Sequence, residues 1–155
     1  EHLPDPLAEL REIYRILRSD GALVVEVPNS ASLTFRLCGR RWLHLDLPRH
    51  LQHFTPGTLQ HLLRCAGFTP VRYQNFHLSD FYSDFYSFMD RLGVSQRTHI
   101  HRLGTDFRHA RLASRAVFLG LGPPLGLFCL LYAALPLLLD GNGEVITVIA
   151  RKTGG

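Results

Sequence analysis

The chain opens on a carboxylate beside an imidazole, Glu1-His2, and carries two more imidazoles three residues apart in Arg49-His50-Leu51-Gln52-His53. An imidazole of ordinary pKa, ~6.5, can take a proton near neutral pH. His50 and His53 are therefore candidates for general-base work, against a competing reading in which they only scaffold a loop, with His53 and Phe54 packing ahead of Thr55. Arg49 offers a guanidinium to an anionic group, although a loop arginine is commonly just solvated. Trp42, beside Arg40 and Arg41, is either part of a lid or an aromatic anchor for the same loop. His99 and His101 alternate as metal ligands on a strand would, but no carboxylate or cysteine lies near them. Cys38, Cys65 and Cys129 are odd in number and form no CxxC pair, which argues against a disulfide framework or zinc site and suits a reducing cytoplasm.

The elements that must hold these groups are legible from spacing. Asp5 is a helix cap and Pro6 a first helical residue. Leu7, Leu10, Ile13, Tyr14 and Leu17 then recur at helical period, and Gly21 supplies a left-handed turn to end the helix. Ala22 to Pro28 is a nearly unbroken apolar run, the pattern of a strand buried on both faces of a parallel sheet. Residues 29–54 lack sustained periodicity and read mainly as loop. Thr55-Pro56 repeats the cap-plus-proline signal for a second helix, with Leu59, Leu62, Leu63 and Ala66 inward and Gly67 closing it. Residues 68–76 form a strand whose Pro70 suggests an edge or a strand start.

Residues 77–143 differ in character. Asp80-Phe81-Tyr82-Ser83 repeats as Asp84-Phe85-Tyr86-Ser87, which predicts a helix packing an aromatic face on the sheet, against a competing reading of that face as a substrate platform. A basic stretch follows, with six arginines from Arg91 to Arg115 against Asp106 alone. It leads straight into an apolar run and carries no nucleic-acid motif, so no nucleic acid is expected as partner. Residues 116–139 are uncharged and long enough to span a ~30 Å hydrocarbon core as one helix. Pro123-Pro124 should break or kink that helix. Residues 144–152 read as a terminal strand, which requires both ends of the apolar run to lie on one side of any membrane. An apolar hairpin that dips into one leaflet or covers the sheet satisfies that. The adjacent arginines favour a cytoplasmic protein peripheral on the inner face of the membrane.

Glu1-His2-Leu3-Pro4-Asp5-Pro6, Arg18-Ser19-Asp20-Gly21-Ala22-Leu23, Val27-Pro28-Asn29, the stretch from Pro48 to Pro56, and Ala66-Gly67-Phe68 occur in a telling order. Together they resemble the second half of a class I S-adenosylmethionine-dependent methyltransferase. Arg18-Ser19-Asp20-Gly21 departs from the usual Lys/Arg-Pro-Gly-Gly at a surface turn. The resemblance implies an α/β fold: a partial Rossmann-like sheet with a helical, apolar insertion before the last strand. On this reading residues 1–155 are the C-terminal part of one domain, with core 1–76, insertion 77–143 and terminal strand 144–152. No Gly-x-Gly-x-Gly loop after a strand is present, so the cofactor-binding first half is expected to be missing and the piece alone inactive and unstable.

Function follows from the same resemblance. It implies methyl transfer from S-adenosylmethionine to a small-molecule or lipid-linked acceptor, most readily an oxygen, with residues 116–139 able to touch a membrane surface. Glu1 and His2 would line the cofactor pocket. His50 and His53 would be the acceptor-site or catalytic residues, and Arg49 and Trp42 would contact the substrate. In some related quinone O-methyltransferases an acidic residue and the Glu-His pair hold a divalent metal. The remaining carboxylate would lie upstream, so no metal ligand set is expected within this chain. The rival is a non-catalytic membrane-associating domain that has lost its cofactor loop.

Overall fold

The computed structural model describes residues 1–74, 80–92, 112–133 and 143–152. Residues 93–111, which hold most of the basic stretch with His99 and His101, and the end of the apolar run, lie outside them.

Helix α1 spans Pro6–Ile16, and the Asp5 carboxylate caps it by accepting from the Ala8 amide at 3.0 Å. Strand β1 covers Ala22–Pro28. Helix α2, Leu33–Cys38, and two short 3-10 turns at Gly39–Arg41 and Leu43–Leu45 interrupt what the sequence reads as loop. Ser32 caps α2 with its hydroxyl, a signal too short for a periodicity argument to catch. Helix α3 spans Pro56–Cys65 behind a reciprocal Thr55–Thr58 cap. Strand β2, Phe68–Gln74, follows. Helices α4, Asp80–Arg91, and α5, Leu112–Ala133, precede strand β3, Val145–Lys152.

The strands form one sheet of order β1-β3-β2, and β3 is antiparallel to both neighbours. It follows that β1 and β2 run parallel, with the last strand inserted between them. Leu10 of α1 and Leu59 and Leu63 of α3 pack on one face with Val27, Phe68, Ile146, Val148 and Ala150. Packing of this kind contributes roughly 1.5–3 kcal/mol per fully buried aliphatic side chain.

The other face of β1 is open: Val24 is 61% exposed. The expectation of a strand buried on both faces of a parallel sheet is thus corrected for the described residues, because its apolar run reflects one packed face only. Glu26 sits on the open face and accepts from the Thr147 hydroxyl at 3.1 Å. Pro70 does mark an edge, at a register shift between Pro70 and Arg72.

Three further expectations change. Gly21 does not turn left-handed; α1 ends at an extended Leu17, and glycine is needed because a Cβ would lie 2.6 Å from Leu17 Cγ. The Pro-Pro pair does not break the apolar helix, since α5 runs continuously through Pro123 and Pro124. Helix α4 turns its polar side inward: Asp80, Ser83, Asp84 and Ser87 are buried, at spacings of three and four. Its Phe88 instead meets Phe128 of α5 edge-on at 5.8 Å between centroids.

Candidate functional site

Glu1, His2 and His50 converge at the C-terminal end of β1. The link is backbone: Glu1 O accepts the Leu51 and Gln52 amides at 2.8 and 3.1 Å, and Phe54 O accepts the Ser30 amide at 2.8 Å. A parallel bridge joins Asn29, the residue after β1, to Phe54. The segment 51–54 is therefore stitched between the N-terminal residues and the strand end.

Both imidazoles are held at Nδ1. His50 Nδ1 lies 2.7 Å from the His44 carbonyl and His2 Nδ1 lies 3.0 Å from the Arg49 carbonyl. A carbonyl can only accept, so each Nδ1 carries the proton and each neutral ring keeps its lone pair on Nε2. Those Nε2 atoms face one carboxylate: His2 Nε2 is 3.6 Å and His50 Nε2 3.8 Å from Glu1 Oε1. The rings meet edge-on, with centroids 4.7 Å apart. His50 is buried, whereas the His2 side chain is 58% exposed, so the cluster is open to solvent on one side.

The other predicted residues fall elsewhere. His53 is exposed and its Nε2 donates to the Leu45 carbonyl at 3.3 Å, as a loop scaffold would. Arg49 reaches into solvent and pairs with Asp46 at 2.6 Å. Trp42 is 1% exposed, so no substrate reaches it in this conformation. Its indole N–H donates to Glu144 Oε2 at 2.5 Å, and its ring meets Phe35 and His44 edge-on. Trp42 is thereby the anchor under the loop.

Below that anchor lies a buried polar layer that sequence reasoning missed. The Thr34 hydroxyl donates to Asp84 at 2.5 Å, the Glu144 amide to Asp80 at 3.2 Å, and the Leu43 amide to the Ser87 hydroxyl at 3.0 Å. Asn29 uses its side-chain amide on the Gly143 carbonyl at 2.8 Å. Burial, reinforced by Glu144, pushes the Asp84 carboxyl up to about 8. Glu144 is also raised by burial, against hydrogen bonds from Trp42, Thr34, Ser32 and Ser83 that favour its charged form. Burial lowers His44 to about 4, so that ring is neutral. The layer braces α4 and the loop to the start of β3. The i, i+3, i+4, i+7 spacing of Asp80, Ser83, Asp84 and Ser87 was the signal for it.

The fold defines a mixed α/β protein with its polar cluster at a strand end. Residues 1–73 match the family model described as a methyltransferase domain. That match supports a methyltransferase-like domain over this part of the chain. No curated protein matches the chain.

Proposed function

We propose that the protein transfers a methyl group from S-adenosylmethionine to a hydroxyl oxygen of a small-molecule or lipid-linked acceptor. The observation that carries this reading is the Glu1–His2–His50 cluster at the C-terminal end of β1, within the segment that matches a methyltransferase domain. Open α/β sheets bind ligands at that end. Parallel β1 and β2 flanking an antiparallel β3 support reading the sheet as part of a Rossmann-like class I sheet, with the α4–α5 region as its helical insertion.

In this reading Glu1 and His2 border the cofactor, and His50 activates the acceptor through its Nε2 lone pair. In the simplest form Nε2 takes the hydroxyl proton while the oxygen attacks the methyl carbon. The carbon–sulfur bond breaks, its electron pair stays on sulfur, and S-adenosylhomocysteine leaves. The imidazolium so formed lies 3.8 Å from Glu1, which stabilises it. The remaining work is alignment of oxygen, methyl and sulfur. Arg49 binds an anionic group of the acceptor in exchange for Asp46, and Trp42 supports the loop from beneath.

Among the described residues no helix is long and apolar enough to cross a membrane. Helix α5 nevertheless exposes Leu119, Leu127, Leu130 and Leu131. That face supports a lipid-linked acceptor and peripheral contact with a bilayer over a purely aqueous substrate. Calorimetric titration of S-adenosylmethionine into the full-length gene product, alongside residues 1–155, tests the reading: micromolar binding is expected of the full-length product and not of residues 1–155 by themselves. A flat titration of both favours the non-catalytic, membrane-associating alternative.

A further inference from the structure

We infer that Glu1, His2 and His50 form a binding site for a divalent transition metal of the zinc type. The ligand set is closed inside this chain by a loop histidine, with no need of a second carboxylate. One donor atom from each of the three residues lies within 4.8 Å of the other two, and both Nε2 nitrogens face Glu1 Oε1. A metal ~2.0–2.2 Å from each donor makes tetrahedral edges of about 3.3–3.6 Å. The two edges from Glu1 Oε1 measure 3.6 and 3.8 Å, within a few tenths of an ångström of those values, and the edge between the two imidazoles is no longer than 4.8 Å, which rotation of the exposed His2 ring can shorten.

The supporting hydrogen bonds matter as much as the distances. A ligating histidine characteristically donates its other N–H to a carbonyl or carboxylate, which fixes the tautomer and aims the lone pair. Here both rings do so, to the His44 and Arg49 carbonyls. Two imidazoles and one carboxylate select zinc, iron, cobalt or nickel over magnesium or calcium, which prefer all-oxygen sites. Three protein donors leave a position open on the exposed His2 side, and an oxygen ligand fits there.

The consequence rests on the methyltransferase reading, though binding itself does not. An acceptor hydroxyl on the open position would be made acidic by the metal, and His50 would then act as ligand instead of proton acceptor. His61 and Cys65, 3.5 Å apart on α3, are the obvious adventitious competitor.

The test is titration of the full chain, freed of metal by chelator, with Zn2+ by calorimetry and with Co2+ by visible absorption. One equivalent is expected, with Co2+ giving the intense bands of a four- or five-coordinate site, and Mg2+ and Ca2+ not competing. His2→Ala and His50→Ala should each weaken binding at least about tenfold, and His61→Ala should leave it unchanged. The exposed His2 ring makes H2A the variant that keeps the fold, which circular dichroism checks. Absence of saturable binding, or binding lost in H61A and kept in H2A, overturns the metal site. S-adenosylmethionine titrated into the same samples separates the outcomes: cofactor binding without metal binding leaves direct proton transfer to His50 standing.

Discussion

His50 is buried, its Nδ1 is committed to a carbonyl, and its Nε2 looks at a carboxylate; His53 is exposed and spends Nε2 on the loop. Their substitutions should therefore separate. In single-turnover methyl transfer, His50→Ala is expected to lose about 10²–10⁴ in rate, the scale of a lost general acid–base group, while His53→Ala changes it little. Equal losses would show that the loop, and not one ring, carries the effect. Trp42→Phe should keep the packing but strip Glu144 of its indole donor, lowering stability by about 1–3 kcal/mol in chemical denaturation. The candidate residues were visible in the sequence by type, yet their grouping was not. Glu1 and His50 meet because two main-chain amides of the loop bond Glu1 O, and side-chain patterns encode no such bond. Trp42 was open between lid and anchor until Glu144 was placed beneath it.

At the level of elements, capping chemistry proved the most readable feature: Asp5-Pro6 and Thr55-Pro56 start helices as their residue types require. Gly67 closes α3 at φ +98°, and a Cβ there would stand 3.0 Å from the Tyr14 ring. Gly67→Ala is expected to destabilise by at least about 1–2 kcal/mol, seen as a lower thermal midpoint. Helix α4 misled, because a hydrophobic-face argument assigns Phe81, Tyr82, Phe85 and Tyr86 to the core when, Met89 apart, its buried residues are aspartates and serines. The inversion has a pH signature. Asp84 binds its proton more tightly folded, near 8, than at its ordinary 3.8, so the folded state holds the extra proton throughout that window. Its contribution to stability is full below pH ~4 and is lost as pH rises towards 8, at up to ~1.4 kcal/mol per pH unit. Asp84→Asn keeps an oxygen for the Thr34 hydroxyl and should flatten that decline in denaturation curves taken across the window. An unchanged slope would mean that the proton resides elsewhere in the layer.

Across the whole molecule, the sheet fixes how the pieces depend on one another. Ala22 of β1 faces Arg151 of β3, and Phe68 of β2 faces Lys152. The middle strand is the last one in sequence, and no spacing argument could place it there, since strand order is a property of packing and not of local pattern. Its position has a consequence for synthesis. As the chain leaves the ribosome, β1 and β2 emerge well before β3, and the β1–β3 and β2–β3 ladders cannot form until residues 145–152 arrive. Non-local pairing of this kind folds slowly and leaves strand edges exposed meanwhile. Chains stopped just before Val145 should therefore accumulate as protease-sensitive, chaperone-bound species, detectable by pulse proteolysis of stalled nascent chains, and protection should appear abruptly once β3 is free.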